Sequence, residues 1–121
     1  MVLEKANHPN IIKMVDRMKS KNHYYLVLEY CNGGDLASYI ELVKKVSEEE
    51  GRLIIKQIVE GMAHLYKIKA IHRDIKLANI FLHFPSFEVR EGELTKDELK
   101  SLKLTEVDFL IKIGDLGFSK I

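Results

Sequence analysis

The fold of this chain is decided by the stretch His72-Arg73-Asp74-Ile75-Lys76-Leu77-Ala78-Asn79. This stretch is polar and is followed at once by a strand-like apolar run, residues 80–82. A second strand-like run, Phe109 to Ile113, follows a charged segment. The polar residues of the stretch are therefore expected at the start of the first of two short strands.

Two helices are predicted before this stretch. Gly33-Gly34 is followed by apolar residues at helical spacing, from Leu36 to Val43, and this pattern predicts a short helix. Ser47 with Glu50 forms a capping box that opens a longer helix. The apolar face expected on the longer helix comprises Ile54, Ile55, Ile58, Met62, Leu65 and Tyr66. A helix with such a face must bury it against other elements.

The N-terminal part of the chain predicts a β-hairpin. The runs Ile11 to Met18 and His23 to Tyr30 are rich in β-branched and aromatic residues. Residues 20–22, Ser-Lys-Asn, supply turn chemistry between them. We therefore expect both runs to be strands of one sheet.

A segment of different character covers about residues 84–108. It mixes charges of both signs and contains a second capping signature, Thr95 to Glu98, with Leu94 and Leu99 placed as a hydrophobic staple. A surface insertion with its own helix is one interpretation. A disordered loop is equally compatible, because so short a helix is marginal unless it is packed.

Composition excludes several classes of protein. Of the 121 residues, 46% are hydrophobic and 31% are charged, which is typical of a globular chain. The net charge of +1 and the scattered lysines argue against nucleic-acid binding. No apolar run approaches a transmembrane length. The single cysteine, Cys31, cannot form an internal disulfide, so we expect a cytoplasmic location, with the nucleus as an alternative.

The stretch 72–79 resembles the catalytic loop of eukaryotic protein kinases. Its five specified residues would occur by chance in roughly one chain of this size in twenty thousand. Three further kinase-like motifs occur in the order of the family: Asn7 to Ile11, Leu28 to Leu36, and Asp115-Leu116-Gly117. The leucine at 116 departs from the phenylalanine usual there. The chain is thus identified as a member of the serine/threonine kinases, and some of its short motifs are similar to those of autophagy-initiating and NIMA-related kinases.

This resemblance implies an α+β, protein-kinase-like fold that is truncated. Residues 1–30 would form the end of the small lobe, residues 31–35 the hinge and residues 36–121 the start of the large lobe. The segment at about 84–108 would be an insertion in the large lobe.

The resemblance also assigns catalytic roles. Asp74 would accept the proton of the incoming hydroxyl, and Lys76 would contact the transferring phosphate, as in kinases that act on Ser or Thr. Asn79 and Asp115 would hold Mg²⁺ through hard oxygen ligands and so bind the phosphates of ATP. Without the motif, Asn79 and Asp115 would each be interpreted as turn residues.

The adenine site would lie at the hinge. By resemblance, backbone groups of Glu29 and Cys31 bind adenine, and Leu28 controls entry to a rear pocket. Asp35 would lie near the ribose, although it could equally cap the helix that begins there. Phe81 and Leu36 would lie beneath the base, and plain core packing is the alternative role of Leu28 and Phe81.

The function expected is transfer of the ATP γ-phosphate to Ser or Thr hydroxyls of a protein substrate. The sequence contains no Gly-x-Gly-x-x-Gly loop and no Val-Ala-Ile-Lys strand, so the isolated chain is expected to be inactive. Apolar faces at Ile11 to Val15 and on the long helix are also expected to be exposed. The alternative is a non-catalytic, truncated kinase that binds a partner through residues Glu88 to Asp108. The oligomeric state is left open.

Overall fold

The computed structural model describes residues 6–70, 75–89 and 92–114. Its elements, in chain order, are β1 (Met14–Lys19), β2 (Tyr24–Leu28), α1 (Leu36–Val43), α2 (Glu48–Lys67), β3 (Ile80–His83), α3 (Lys96–Ser101) and β4 (Leu110–Ile113). Single 3₁₀ turns, Leu77–Asn79 and Pro85–Phe87, stand before and after β3. The arrangement is α+β, and no helix within the described ranges is long and apolar enough to cross a membrane.

Strands β1 and β2 form the predicted antiparallel hairpin. The turn is closed by a 2.8 Å hydrogen bond from the Ser20 amide to the His23 carbonyl, and Lys19 pairs with Tyr24. The first strand begins at Met14 and not at Ile11 as predicted. Ile11 and Ile12 are buried, which corrects the expectation that they would be exposed, whereas Val15 is exposed.

The burial of Ile11 and Ile12 has a simple cause, because this stretch lies on the edge of a second sheet. Strands β3 and β4 pair antiparallel, with Ile80 opposite Ile113. The Ile12 amide donates to the Ile113 carbonyl at 2.9 Å, and the Ile113 amide donates to the Asn10 carbonyl at the same distance. Residues 10–12 thus extend the sheet beyond β4.

The other edge of this sheet is formed by the segment that joins β2 to α1. The Gly33 amide donates to the Leu82 carbonyl at 2.9 Å, and the Leu82 amide donates to the Gly34 carbonyl at 2.8 Å. A Cβ at Gly33 would lie 2.7 Å from a ring carbon of Phe84, so only glycine permits this close approach. The predicted hinge is therefore joined directly to β3.

Helix α2 begins with the predicted capping box between Ser47 and Glu50. Ile54 and Leu65 of the predicted apolar face are buried, and Ile58 is half-buried against the core. Ile55, Met62 and Tyr66 of the same predicted face are 61%, 45% and 86% exposed, which agrees with the expectation that an apolar face of the long helix would be exposed in this chain. The helix packs against β4 along the narrower row that contains positions 54, 58, 61 and 65.

The charged segment is ordered in its described part, residues 84–89 and 92–108. Helix α3 has the predicted capping box, in which the Thr95 and Glu98 side chains bind each other's backbone amides. Leu94, Leu104 and Phe109 are buried in the same apolar cluster as Leu36 and Ile54. A disordered loop is therefore wrong for these residues, because packing supplies the stability that a short helix lacks alone.

Candidate functional site

A cavity of about 530 Å³ opens beside the hinge. Five residues predicted to bind nucleotide line it: Leu28, Glu29, Cys31, Asp35 and Phe81. This volume lies in the range of small-molecule binding sites in proteins. The chain thus brings together residues that are up to 53 positions apart in the sequence.

The apolar part of the cavity is formed by Ile12, Leu28, Leu42, Phe81, Leu94 and Leu99. Apolar walls of this kind suit a flat heterocycle, whose faces are hydrophobic. Leu36 is not part of the lining. Its side chain is 1% exposed and packs with Tyr39 and Leu82 in the core, so its predicted position beneath the base is wrong.

The hinge backbone offers a donor and an acceptor to this cavity. The Glu29 amide donates to the Lys13 carbonyl at 2.9 Å. The Glu29 carbonyl and the Cys31 amide have no hydrogen-bond partner among the described residues. Cys31 is buried and Glu29 is half-buried, and backbone groups shielded from water are nearly always paired, so these two groups suit a ligand edge that carries one acceptor and one donor.

The side chain of Glu29 is fixed by an ion pair that sequence reasoning missed. Lys112 Nζ lies 3.0 Å from Glu29 Oε1 and also donates to the Pro9 carbonyl at 3.1 Å. The Lys13 amide donates to Glu29 Oε1 at 2.7 Å. Lys112 is only 7% exposed, and a charge so buried requires such partners. The sequence signal that could have revealed this ion pair is the lysine inside the otherwise apolar strand 110–113.

A second missed residue is Asn32, which is 3% exposed. Its side chain accepts from the Phe84 amide at 2.7 Å and donates to the Phe84 carbonyl at 2.9 Å. Its own backbone carbonyl accepts from the Leu94 amide at 2.9 Å, and its amide donates to His83 Nδ1 at 3.3 Å. Asn32 therefore joins the hinge to the segment that follows β3.

Asp35 takes the capping role that the sequence left open, and its position near a ribose stays a prediction. Its carboxylate accepts from the Ser38 amide at 2.9 Å and from Ser38 Oγ at 2.8 Å, so it caps helix α1. Asp35 also lines the cavity, and its backbone forms an isolated antiparallel β-bridge with the backbone of Phe81 in β3. Capping holds the carboxylate at the edge of the cavity, where it can still meet a polar ligand group.

One described catalytic-loop residue, Asn79, is hydrogen-bonded to a residue that lines the cavity. The Asn79 amide donates to the Lys76 carbonyl at 2.9 Å, which brings these two residues into one 3₁₀ turn. The Asn79 carbonyl accepts from the amide of Gly114, a lining residue, at 2.8 Å. Asp74 and Asp115 lie outside the described residues. Within the described ranges, no three His, Cys, Asp or Glu side chains cluster as metal ligands.

The charge of Cys31 follows from its surroundings. Burial raises the pKa of the Cys31 thiol to about 11, and the Glu29 carboxylate raises it further while Lys112 lowers it. The thiol is therefore neutral at pH 7 and acts as a small apolar group in the cavity. Burial, with a contribution from Glu50, also raises the pKa of Tyr39, another lining residue.

Comparison with known proteins adds an independent line of evidence. The model of the protein kinase domain matches residues 1–121. The chain is 34% identical over 119 residues to serine/threonine-protein kinase ULK1 of Homo sapiens and, over the same length, 34% identical to serine/threonine-protein kinase ATG1c of Arabidopsis thaliana. It is 32% identical over 118 residues to the hormonally up-regulated neu tumor-associated kinase of Homo sapiens.

Each of these alignments covers 98% of the chain, but the chain spans only 10% to 15% of the length of these relatives. The α+β fold, the motif order and the hinge cavity agree with the family match. Residues 1–121 therefore belong to the protein kinase family and form part of its catalytic domain.

Proposed function

We propose that the hinge cavity binds the adenine of Mg·ATP, and that the protein containing this chain transfers the γ-phosphate to Ser or Thr hydroxyls of protein substrates. One observation carries this proposal: the cavity is lined by Leu28, Glu29, Cys31, Asp35 and Phe81, and its hinge backbone presents an unpaired acceptor and donor. The edge of adenine carries the complementary groups.

The proposed roles of the polar residues follow from the catalytic-loop motif. Asp74 would orient the hydroxyl and accept its proton, and Lys76 would contact the transferring phosphate. Asn79 and Asp115 would hold Mg²⁺, which neutralises phosphate charge when it is bound. The Asn79 to Gly114 hydrogen bond supports this assignment, because Gly114 is the residue before Asp115 in the sequence.

Titration calorimetry of the 121-residue chain with Mg·ATP tests the proposal. Phe81→Ala should weaken binding about tenfold, since it removes an aromatic wall of the cavity. Phe87→Ala is the matched control, because Phe87 is also half-buried and packs edge-on against Phe84 but does not line the cavity. Absence of binding by the unsubstituted chain, or equal losses in both variants, would contradict the proposal.

The same preparation tests whether the isolated chain is inactive, as the sequence suggests. We expect nucleotide binding without transfer of labelled phosphate to a mixed Ser/Thr protein substrate. The alternative function, partner binding through residues 88–108, receives less support from the contacts. Leu94 and Leu104 of that segment are buried in the core, so they are not available to a partner.

A further inference from the structure

One wall of the hinge cavity is built by the segment that follows β3. Glu93, Leu94, Lys96 and Leu99 all line the cavity. Ser38 and Leu42 of α1 line it as well, and α1 packs against α3. A segment expected to be a surface insertion therefore contributes to the same cavity as the hinge.

This wall is anchored to the hinge. The Leu94 amide donates to the carbonyl of Asn32 at 2.9 Å, and Asn32 is itself held by two side-chain hydrogen bonds to Phe84. At the other end, the Leu104 amide donates to Glu50 Oε2 at 3.4 Å. With Leu94 and Leu104 buried, α3 is held at both ends, so Lys96 and Leu99 have a defined position in the wall.

The charges around the cavity make Lys96 distinctive. Among the described lining residues, the carboxylates are those of Glu29, Asp35 and Glu93, and the only ammonium group is that of Lys96. The Glu29 carboxylate is paired with Lys112, and the Asp35 carboxylate is bound by Ser38. Glu93 lies on the same wall, so the exposed Lys96 ammonium is the one cationic group among the described lining residues that an anionic part of a ligand can contact.

We infer that Lys96 and Leu99 contact the bound nucleotide and determine which ligands the cavity accepts. Lys96 selects for the negative charge of a phosphorylated nucleoside, and Leu99 covers the apolar part of the ligand. This inference rests on the proposed function, since it presumes that a nucleotide occupies the cavity.

The test compares ATP with adenosine, which lacks the phosphates, by calorimetry on the full chain at low ionic strength. Lys96→Glu should weaken ATP binding about fivefold and change adenosine binding by less than about twofold. Lys100→Glu changes the net charge equally, one turn along α3, but Lys100 does not line this cavity. The Lys100→Glu substitution should weaken ATP binding by less than about twofold.

Leu99→Ala should weaken both ligands alike, by about threefold to tenfold, because it removes apolar contact area. Leu102→Ala is its matched control. Leu102 is also half-buried and packs on the same core, but it does not line the cavity. This variant should leave both affinities unchanged, and circular dichroism verifies that each variant is folded.

Two outcomes separate this inference from the proposed function. If the unsubstituted chain binds neither ATP nor adenosine, the proposed function fails and the inference fails with it. If the chain binds both ligands but Lys96→Glu and Leu99→Ala behave like their controls, or if Lys96→Glu weakens both ligands equally, only the inference is overturned.

Discussion

The backbone amide of Gly114 donates a 2.8 Å hydrogen bond to the carbonyl of Asn79. These residues are 35 positions apart: Asn79 is itself a predicted Mg²⁺ ligand, and Gly114 precedes the other predicted ligand, Asp115. A Cβ at Gly114 would lie 2.6 Å from Phe81 Cε2 and 3.3 Å from the Asn79 carbonyl oxygen. The absence of a side chain at position 114 thus permits both the hydrogen bond and the position of the Phe81 ring in the cavity.

Gly114→Ala should therefore displace Phe81 and lower nucleotide affinity about tenfold, with a loss of about 1–3 kcal/mol in unfolding free energy from overpacking. Calorimetry and urea unfolding measure the two effects. Gly51→Ala is the control, because no atom lies within 4 Å of a Cβ there and alanine favours the helix. An unaffected Gly114→Ala variant would show that the contact with Phe81 is not required.

Lys112→Met should destabilise the chain by about 1–3 kcal/mol, because it leaves the Glu29 carboxylate without its cation and the Pro9 carbonyl without its donor. Urea unfolding measures the loss. A double-mutant cycle with Glu29→Gln separates the ion pair from other effects, since the two losses should not be additive. Additive losses would mean that the pair contributes little.

Cys31 should react slowly with iodoacetamide at pH 8, because thiolate is the reactive form and burial raises the pKa of this thiol from 9.0 to about 11. The raised pKa lowers the thiolate population about a hundredfold at pH values below 9. The alkylation rate of the folded chain should rise until about pH 11, whereas the urea-unfolded chain should level off near pH 9. Identical pH profiles in both states would contradict this prediction.

Glu50→Ala should destabilise the chain by about 1 kcal/mol, because Glu50 closes the capping box with Ser47 and accepts from the Leu104 amide. Hydrogen bonds from Ser47 lower the pKa of Glu50 below its usual 4.5. The carboxylate therefore stabilises the fold above pH 4.5, and this contribution is lost as the pH falls through the lowered value. Glu49→Ala, exposed on the same turn, is the control in urea unfolding at pH 7.

Asp74→Asn tests the assigned catalytic base in a protein that contains this chain and transfers phosphate. The turnover number should fall by at least about a hundredfold while ATP affinity is kept, because orienting the hydroxyl is separable from binding nucleotide. Kinase assays with a saturating Ser/Thr substrate measure the first quantity and calorimetry the second. Unchanged turnover would refute the role.

Local patterns predicted much of the secondary structure. The capping boxes at Ser47 and Thr95 form as expected, because they involve residues only three positions apart. The hairpin around residues 20–23 also forms, since its turn chemistry is local. In contrast, periodicity alone does not show which part of the apolar face of α2 its neighbours cover: Ile54 and Leu65 are buried, whereas Ile55 is exposed.

By itself, the sequence determined the family, the order of the motifs and the elements whose signals lie within a few residues. Only the tertiary structure decided that Lys112 pairs with Glu29, that Asn32 holds the segment after β3, and that Lys96 and Leu99 complete the cavity wall. These contacts join residues that are distant in the sequence, so their existence depends on how the strands and the hinge pack, which no local pattern encodes.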